Sequence, residues 1–275
     1  MEILNSLLRP LFDVVNSLTR SWPVWLMCLL WALPLSVFAL WAFKKFSNQD
    51  AISATKDKIY ACLFEIRLFN DDIRAIFRAQ WEIMGHVLKY QAYSLKPMIW
   101  ILPPTVLMMV QLHAFFGFRA LQPGEEALLI ATLRPGVLQE LRLELPEGLT
   151  AETPGVPAPD LHEFAWRIRA ERPGDYRILF SVGGRQESKT VRVGGQRRRL
   201  SPERPPRSFL DQLEWPSEAP FPQESFLRRV SISYPEAEIS FLGFHMESQW
   251  AWMILFFVMT MLLALALKKP MGVEL

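Results

Sequence analysis

The chain has 275 residues, 51% of them hydrophobic, and its 30 Lys and Arg against 28 Asp and Glu give a formal net charge of +2. This balance gives no sign of a nucleic-acid-binding protein, and two cysteines are too few for a disulfide-stapled scaffold. Three stretches contain no Asp, Glu, Lys or Arg: residues 21–43, 97–118 and 248–267. Each is as long as the ~20 apolar residues that a helix needs to cross a bilayer. The sequence therefore predicts three transmembrane helices.

Residues 1–20 have the pattern of an amphipathic helix. Their large apolar side chains recur at helical spacing, at Ile3, Leu7, Leu11, Val14 and Leu18. Such a helix lies in the membrane interface rather than crossing the bilayer. We therefore predict an external interfacial helix that precedes the first span.

Basic residues next to the spans set the predicted orientation. Lys44 and Lys45 follow the first span, and Lys268 and Lys269 follow the third. With three spans these two ends lie on the same side of the membrane, which the rule makes the cytoplasmic side. The prediction is a multi-pass protein of the inner (plasma) membrane, with the N-terminus and residues 119–247 outside, and residues 44–96 and 268–275 in the cytoplasm.

Residues 44–96 carry a heptad pattern. One series recurs every seven residues, at Ile52, Ile59, Ile66 and Ile73. A single helix of this length would be ~65 Å long, yet both of its ends adjoin membrane spans. We expect a turn at Asn70-Asp71-Asp72, because Asn70 can cap a second helix whose first turn favours acids. The prediction is an antiparallel cytoplasmic hairpin of residues 48–68 and 71–94.

From residue 119 the period becomes alternating, and Pro-Gly, Glu-Gly and Gly-Gly turns separate five short runs: residues 127–133, 138–145, 163–170, 176–182 and 188–193. This predicts an external all-β, immunoglobulin-like sandwich over residues 119–193. The remaining outer segments are a Pro- and Arg-rich linker at 194–225, with a short helix at 208–214, and a final β-hairpin at 226–247, built from runs 226–232 and 237–242.

The predicted fold class is thus an α-helical integral membrane protein. It has three transmembrane helices, a cytoplasmic antiparallel helical hairpin and an external all-β immunoglobulin-like sandwich. The four histidines are scattered, and the sequence contains no HExxH, P-loop, GxSxG or GxGxxG motif. We therefore predict no enzyme activity, no catalytic residue, no metal and no cofactor.

Polar residues inside the predicted spans are the candidate functional residues, because such groups are costly in lipid. Ser36, Thr105 and Thr260 each lie near the middle of a span, and we predict that they line a shared groove. Met108 and Met109 would add an adaptable apolar lining. The alternatives are that each hydroxyl bonds the carbonyl one turn earlier in its own helix, and that the methionines simply face lipid.

Basic residues on the cytoplasmic side are predicted to meet partners. Lys44 and Lys45 would lie at the mouth of the groove. The exposed face of the hairpin would present Lys58, Arg67, Arg74, Arg78 and Lys89.

The order of these parts resembles the YidC/Oxa superfamily of membrane-protein insertases, and above all its small branch of archaeal-type proteins and endoplasmic-reticulum insertase subunits. The resemblance is carried by residues 59–66, 70–72, 73–88 and 95–103, the last reading Leu-Lys-Pro-Met-Ile-Trp-Ile-Leu-Pro. In that family three core helices form a groove open to the cytoplasm and the lipid, and the hairpin guides the incoming chain. Members often hold a basic residue in the groove. Here the first span has no charge before Lys44, so Lys44 or Lys45 takes that role or the feature is absent.

The resemblance implies a non-catalytic insertase or chaperone that guides hydrophobic segments into the bilayer. Its implied partners are membrane lipids and nascent or client membrane proteins, with the ribosome or other membrane subunits as further partners, and no specific nucleic acid. The alternative is an assembly or sensor membrane protein, whose external β-sandwich binds a partner and whose hairpin docks or relays. The size of the external segment favours this alternative, because a minimal insertase does not need one.

Overall fold

The computed structural model describes residues 1–69, 71–135, 141–241 and 243–273. Within these residues the chain forms seven α-helices: α1 Glu2–Leu18, α2 Val24–Phe46, α3 Gln49–Leu68, α4 Ile73–Leu95, α5 Met98–Phe116, α6 Phe209–Glu214 and α7 Ala251–Leu267. The chain divides into two compact units. The first unit comprises Met1–Met27 and Leu107–Ile254, and the second comprises Cys28–Val106 and Leu255–Leu275.

Two helices are long and apolar enough to cross a membrane. These are α2, with 23 residues, and α5, with 19 residues. Helix α2 continues past the predicted end of the first span, through Lys44 and Lys45 to Phe46. Helix α7 is equally apolar in character but has only 17 residues. Two of the three predicted spans therefore have the required length and composition, and the third is a shorter apolar helix.

The heptad segment folds as a helix, a turn and a second helix. Helix α3 begins after Asn48, whose side chain accepts a 3.0 Å hydrogen bond from the N–H of Ala51. Helix α4 begins after Asp72, whose carboxylate accepts hydrogen bonds from the N–H groups of Arg74 and Ala75. The predicted cap, Asn70, lies outside the described residues. The carboxylate of Asp72 at the N-terminus of α4 interacts favourably with the positive end of the helix dipole.

Contacts across the hairpin show that α3 and α4 run antiparallel. Glu65 and Arg78 form a 2.8 Å ion pair, and Cys62 lies 3.9 Å from the carboxylate of Glu82. Ile52, Cys62 and Ala79 are buried between the two helices. Ile73, the last residue of the heptad series, is exposed next to the turn and is not part of the buried contact between α3 and α4.

The first unit contains an antiparallel β-sheet region. Its strands are β1 Glu126–Leu133, β2 Arg142–Glu144, β3 Leu149–Ala151, β4 Val156–Ala158, β5 Glu163–Ala170, β6 Gly174–Val182, β7 Arg185–Val193, β8 Glu203–Arg204, β9 Leu227–Ile232, β10 Glu238–Phe241 and β11 Phe244–Glu247. One sheet has the order β3-β5-β1-β9-β8, with β4 also on β5, and a second has the order β2-β6-β7. The predicted run 138–145 appears as β2, and residues 138–140 lie outside the described residues.

Side chains from both sheets share one hydrophobic core. Leu129 and Trp166 of the larger sheet belong to the same buried cluster as Phe180 and Val191 of the smaller one. The rings of Trp166 and Phe180 meet edge to face, with centroids 6.0 Å apart. This arrangement is compatible with the immunoglobulin-like sandwich that the sequence predicts.

The predicted final β-hairpin is wrong. Strand β9 does not pair with β10 but lies between β1 and β8, and β10 pairs with β11. The reason is burial, because Leu227, Val230 and Ile232 of β9 belong to the shared core. In its place between β1 and β8, the strand packs one apolar face on the core, as antiparallel strands commonly do.

Residues 194–225 also differ from the extended linker that the sequence predicts. They contribute β8 to the larger sheet and form the short helix α6, close to the predicted 208–214, with Ser208 as its N-cap. Leu200 and Phe221 of this segment are buried in the core of the β-sheet region. The segment is therefore an integral part of the first unit.

Candidate functional site

Ser36 and Thr260, two of the predicted groove residues, come together in the second unit. The hydroxyl of Ser36 lies 2.8 Å from the carbonyl oxygen of Ala32 and 3.0 Å from that of Thr260. Ser36 is fully buried. Its one proton is thus shared between its own helix and α7, which makes it a contact between α2 and α7.

The threonine hydroxyls bond within their own helices. Thr260 donates to the carbonyl of Phe256, and Thr105 donates to that of Ile101, each at 2.8 Å. This is the alternative that the sequence left open, in which a hydroxyl is satisfied one turn earlier. A groove lined jointly by all three residues stays a prediction.

The other predicted groove residues have neighbours of their own. The ammonium of Lys44 donates a 2.8 Å hydrogen bond to the carbonyl of Met271, and that of Lys45 lies 5.2 Å from the ring centre of Trp41. Both contacts are within the second unit. Met108 and Met109 are half-buried and belong to the first unit.

The five basic residues of the hairpin are all exposed, but they do not share one face. Lys58 and Arg67 are nine residues apart on α3, and at 3.6 residues per turn this places them on roughly opposite sides of the helix. Arg78 is ion-paired with Glu65 at 2.8 Å and approaches Glu82 at 3.6 Å. The prediction of a single basic face is therefore wrong.

The hairpin instead presents a broad apolar surface, which we call the apolar face. Its members are exposed large side chains at helical spacing: Tyr60, Leu63 and Phe64 on α3, and Ile73, Phe77, Met84 and Leu88 on α4. Phe64 and Ile73 are each 68% exposed. The exposed Trp81 lies at the outer edge of this surface. A monomeric soluble protein rarely exposes such a continuous patch without a partner.

The apolar residues of α3 and those of α4 lie on the same side of the hairpin. The ion pair of Glu65 and Arg78 marks one side. Tyr60 lies about 140° around α3 from Glu65, and Ile73 lies about 140° around α4 from Arg78, given ~100° per residue. Because the two helices are antiparallel, these angular offsets place both Tyr60 and Ile73 on the side of the hairpin opposite the ion pair. The hairpin is therefore polar on one side and apolar on the other.

The charge on the apolar face is basic. Arg67 and Lys56 lie at helical spacing from Leu63 and Tyr60 on the same stripe of α3. The carboxylates of Glu65 and Glu82 are drawn to Arg78 on the opposite side. The sequence contained a signal for this face, because all of its members except Ile73 are large apolar residues outside the heptad series.

A buried polar network in the first unit was also not anticipated. Gln111 of α5 is buried and accepts a 2.8 Å hydrogen bond from Arg199. Arg199 also donates to Asp13 at 2.8 Å, and Gln111 donates to Asn5 at 3.3 Å. Burial, partly offset by Asp13, lowers the pKa of Arg199. These residues are far apart in the chain, so no spacing rule could join them.

Comparisons with protein-family models, with curated proteins and with solved structures find no match for this chain. Its function must therefore be inferred from the hairpin, the apolar helices and the β-sheet region themselves.

Proposed function

We propose that this protein is a non-catalytic insertase or chaperone for membrane proteins, of the YidC/Oxa type, and that the apolar face of the hairpin receives hydrophobic client segments. The observation that supports the proposal most is the exposed apolar face itself. Two residues, Ser47 and Asn48, separate α2 from the hairpin, and the hairpin leads, after Lys96 and Pro97, directly into α5. The hairpin is thereby close in sequence to both candidate spans.

The free energy of burying side chains of the apolar face is suited to binding a client transiently. Fully burying one Leu, Met or Phe side chain yields about 1.5–3 kcal/mol, so covering a few of the seven side chains gives useful affinity. Partial coverage keeps that affinity low enough for release into the bilayer. The basic charges of Lys56 and Arg67 would favour hydrophobic segments with neutral or acidic flanks over those with basic flanks.

In the proposed topology α2, α5 and α7 all span the bilayer, with the N-terminus and the β-sheet region outside and the hairpin in the cytoplasm. Helix α7 would be about 26 Å long at 1.5 Å per residue, a few ångströms short of the hydrocarbon core. A short span is accommodated by local thinning and by snorkelling of flanking residues such as Lys268 and Lys269. A locally thinned bilayer in turn lowers the cost of inserting a client.

An insertion assay tests the proposal with the full chain in liposomes and a client of one short hydrophobic span. The variant Phe77→Gln/Met84→Gln makes the apolar face polar, and we expect it to lower the insertion rate at least fivefold. The control Glu82→Gln/Lys89→Gln changes two residues on the polar side without altering net charge, and should insert like the unmodified protein. Equal rates for all three proteins would refute the proposal.

The second candidate is an assembly or sensor protein. It is favoured by the hydrogen bonds of Arg199 to Asp13 and Gln111, which tie α1 and α5 to the β-sheet region within one compact unit. A partner bound to the sheets could then act on these helices. Deleting residues 122–240 discriminates between the two functions. Retained insertion favours the insertase, whereas loss of a stoichiometric partner favours the assembly protein.

A further inference from the structure

Six arginines line one pocket in the first unit: Arg9, Arg20, Arg192, Arg197, Arg198 and Arg199. The pocket has a volume of about 430 Å³. Among the described residues of its lining, Asp13 is the one acid, and it is hydrogen-bonded to Arg199. We call it the arginine pocket.

The positive charge of the arginine pocket is only partly neutralised within the protein. Outside the lining, Asp175 lies 3.3 Å from Arg192 and 3.5 Å from Arg198. Arg9 donates to the backbone carbonyls of Pro216 and Glu218, which carry no net charge. Glu2 and Glu218 also lie near enough to Arg9 to offset part of the lowering of its pKa by burial. Even with these acids and Asp13 and Asp175, the six guanidinium groups outnumber the described carboxylates near them, and this excess favours an anion.

Two buried groups in the lining lack partners. Within the described part of the chain, Nη2 of Arg199 and Oδ1 of Asn16 have no hydrogen-bond partner. Both residues are more than nine-tenths buried, and both line the pocket. Of the two, only Nη2 of Arg199 is a donor that an anion can satisfy, and a buried donor without an acceptor destabilises the protein. Burial and the neighbouring Arg199 also lower the pKa of Arg9. An anion in the pocket would relieve this crowding of positive charge.

The surroundings of the pocket indicate an amphiphilic ligand. An adjoining cavity of about 590 Å³ shares Phe115 and three arginines with the pocket, and adds an apolar wall of Val24, Phe116, Phe118 and Ile239. Helix α1, which supplies Arg9 and Asp13, exposes its apolar stripe, as a helix in the membrane interface does. An anion with an apolar extension therefore fits better than a free inorganic ion.

We propose that the arginine pocket binds the phosphate of an anionic phospholipid at the membrane surface, with the adjoining cavity accepting the apolar part of the lipid. Guanidinium groups suit this role because they form paired, charge-assisted hydrogen bonds to phosphate oxygens. This site is separate from the apolar face of the hairpin, and the proposal does not depend on insertase activity.

Native mass spectrometry of the detergent-solubilised full chain tests the proposal with three probes: dioctanoyl phosphatidylglycerol, dioctanoyl phosphatidylcholine and glycerol phosphate. We expect phosphatidylglycerol to saturate one site at least tenfold more tightly than either other probe. Equal binding of phosphatidylcholine would refute an anion site. Equal binding of glycerol phosphate would keep the phosphate chemistry but overturn the lipid as its source.

Variants locate the site. Arg20→Gln/Arg198→Gln should weaken phosphatidylglycerol binding at least tenfold, whereas Arg172→Gln/Arg228→Gln removes the same charge outside the pocket and should change binding less than twofold. Unchanged binding in the first variant overturns the proposal. If that variant does not elute as a folded protein in gel filtration, Arg20→Gln alone replaces it. The expected loss is then about threefold, and unchanged binding is again contradictory.

Discussion

The ammonium of Lys189 lies 2.5 Å from the carboxylate of Glu218, and Lys189 is completely buried. Ser201 completes the cluster, because its hydroxyl accepts from Lys189 at 3.0 Å and lies 2.7 Å from Glu218. Burial opposes both charges, but Lys189 and its hydrogen bond hold the pKa of Glu218 below its ordinary value. Lys189 belongs to β7, whereas Ser201 and Glu218 belong to residues 194–225. The ion pair therefore fastens this segment to the smaller sheet.

Breaking this ion pair should unfold the segment. Removing one partner leaves a buried charge uncompensated, so Lys189→Met and Glu218→Gln should each lower the free energy of unfolding by about 3–5 kcal/mol. The double variant should lose less than the sum of the two, because both charges are then gone. Urea unfolding followed by tryptophan fluorescence measures all three. Additive losses would contradict the coupling, and Arg167→Gln, at an exposed ion pair, serves as the control.

Glu203 gives the β-sheet region a defined pH dependence. Burial raises its pKa from 4.5 to about 7, despite the nearby guanidinium of Arg229. The folded protein therefore holds a proton that the unfolded chain has released, and stability falls as pH rises from about 4.5 to 7. Relative to Glu203→Gln, the unmodified protein should lose about 1–3 kcal/mol between pH 5 and 8. If the free energies of unfolding of the two proteins change equally with pH across this range, the assignment is contradicted.

The hairpin seam is tested at Ala79, which is fully buried on α4. Ala79→Asp would bury a charge between the helices and cost several kcal/mol. If the apolar helices span the bilayer as proposed, the hairpin should then become sensitive to limited trypsin digestion while those helices stay protected in the membrane. The neighbouring Gln80 is exposed, so Gln80→Asp should leave the digestion pattern unchanged. Equal protection of both variants would show that the seam is not where the structure puts it.

A substitution at Ser36 tests whether its hydroxyl only stabilises the contact between α2 and α7 or also lines a groove for clients. Ser36→Ala removes the hydrogen bond to the carbonyl of Thr260, which should weaken the α2–α7 contact by about 1 kcal/mol. We expect a lower thermal unfolding temperature in detergent and an unchanged insertion rate. A lower insertion rate with unchanged thermal stability would instead support a direct role in a polar groove.

The sequence predicted those elements whose signals are local. Apolar stretches predicted α2 and α5, the heptad series predicted the fold-back of α3 on α4, and alternating runs predicted β1, β5, β6 and β7. Each of these patterns depends on residues that are only a few positions apart in the chain. The hairpin turn was placed correctly because caps also act locally, although Asp72 caps α4 and Asn70 lies outside the described residues.

The errors concern long-range partners. Strand β9 alternates like a hairpin strand, and nothing in its own sequence tells that β1 is its neighbour. The segment 194–225 lacks periodicity because its burial depends on single contacts such as Lys189 with Glu218. The candidate site was partly missed for a different reason. The heptad series predicts the buried seam of the hairpin, but the same helical period also carries a second, exposed apolar stripe, which the seam does not predict.

Photocrosslinking from two adjacent hairpin positions tests the central claim most directly. Phe77 belongs to the apolar face, whereas Arg78 points to the polar side, where it pairs with Glu65. A photoreactive residue at 77 in the membrane-embedded full chain should capture a nascent hydrophobic client during synthesis, and the same residue at 78 should capture at least fivefold less. Equal capture at both positions, or capture of lipid alone at 77, would contradict the role of the apolar face in receiving clients.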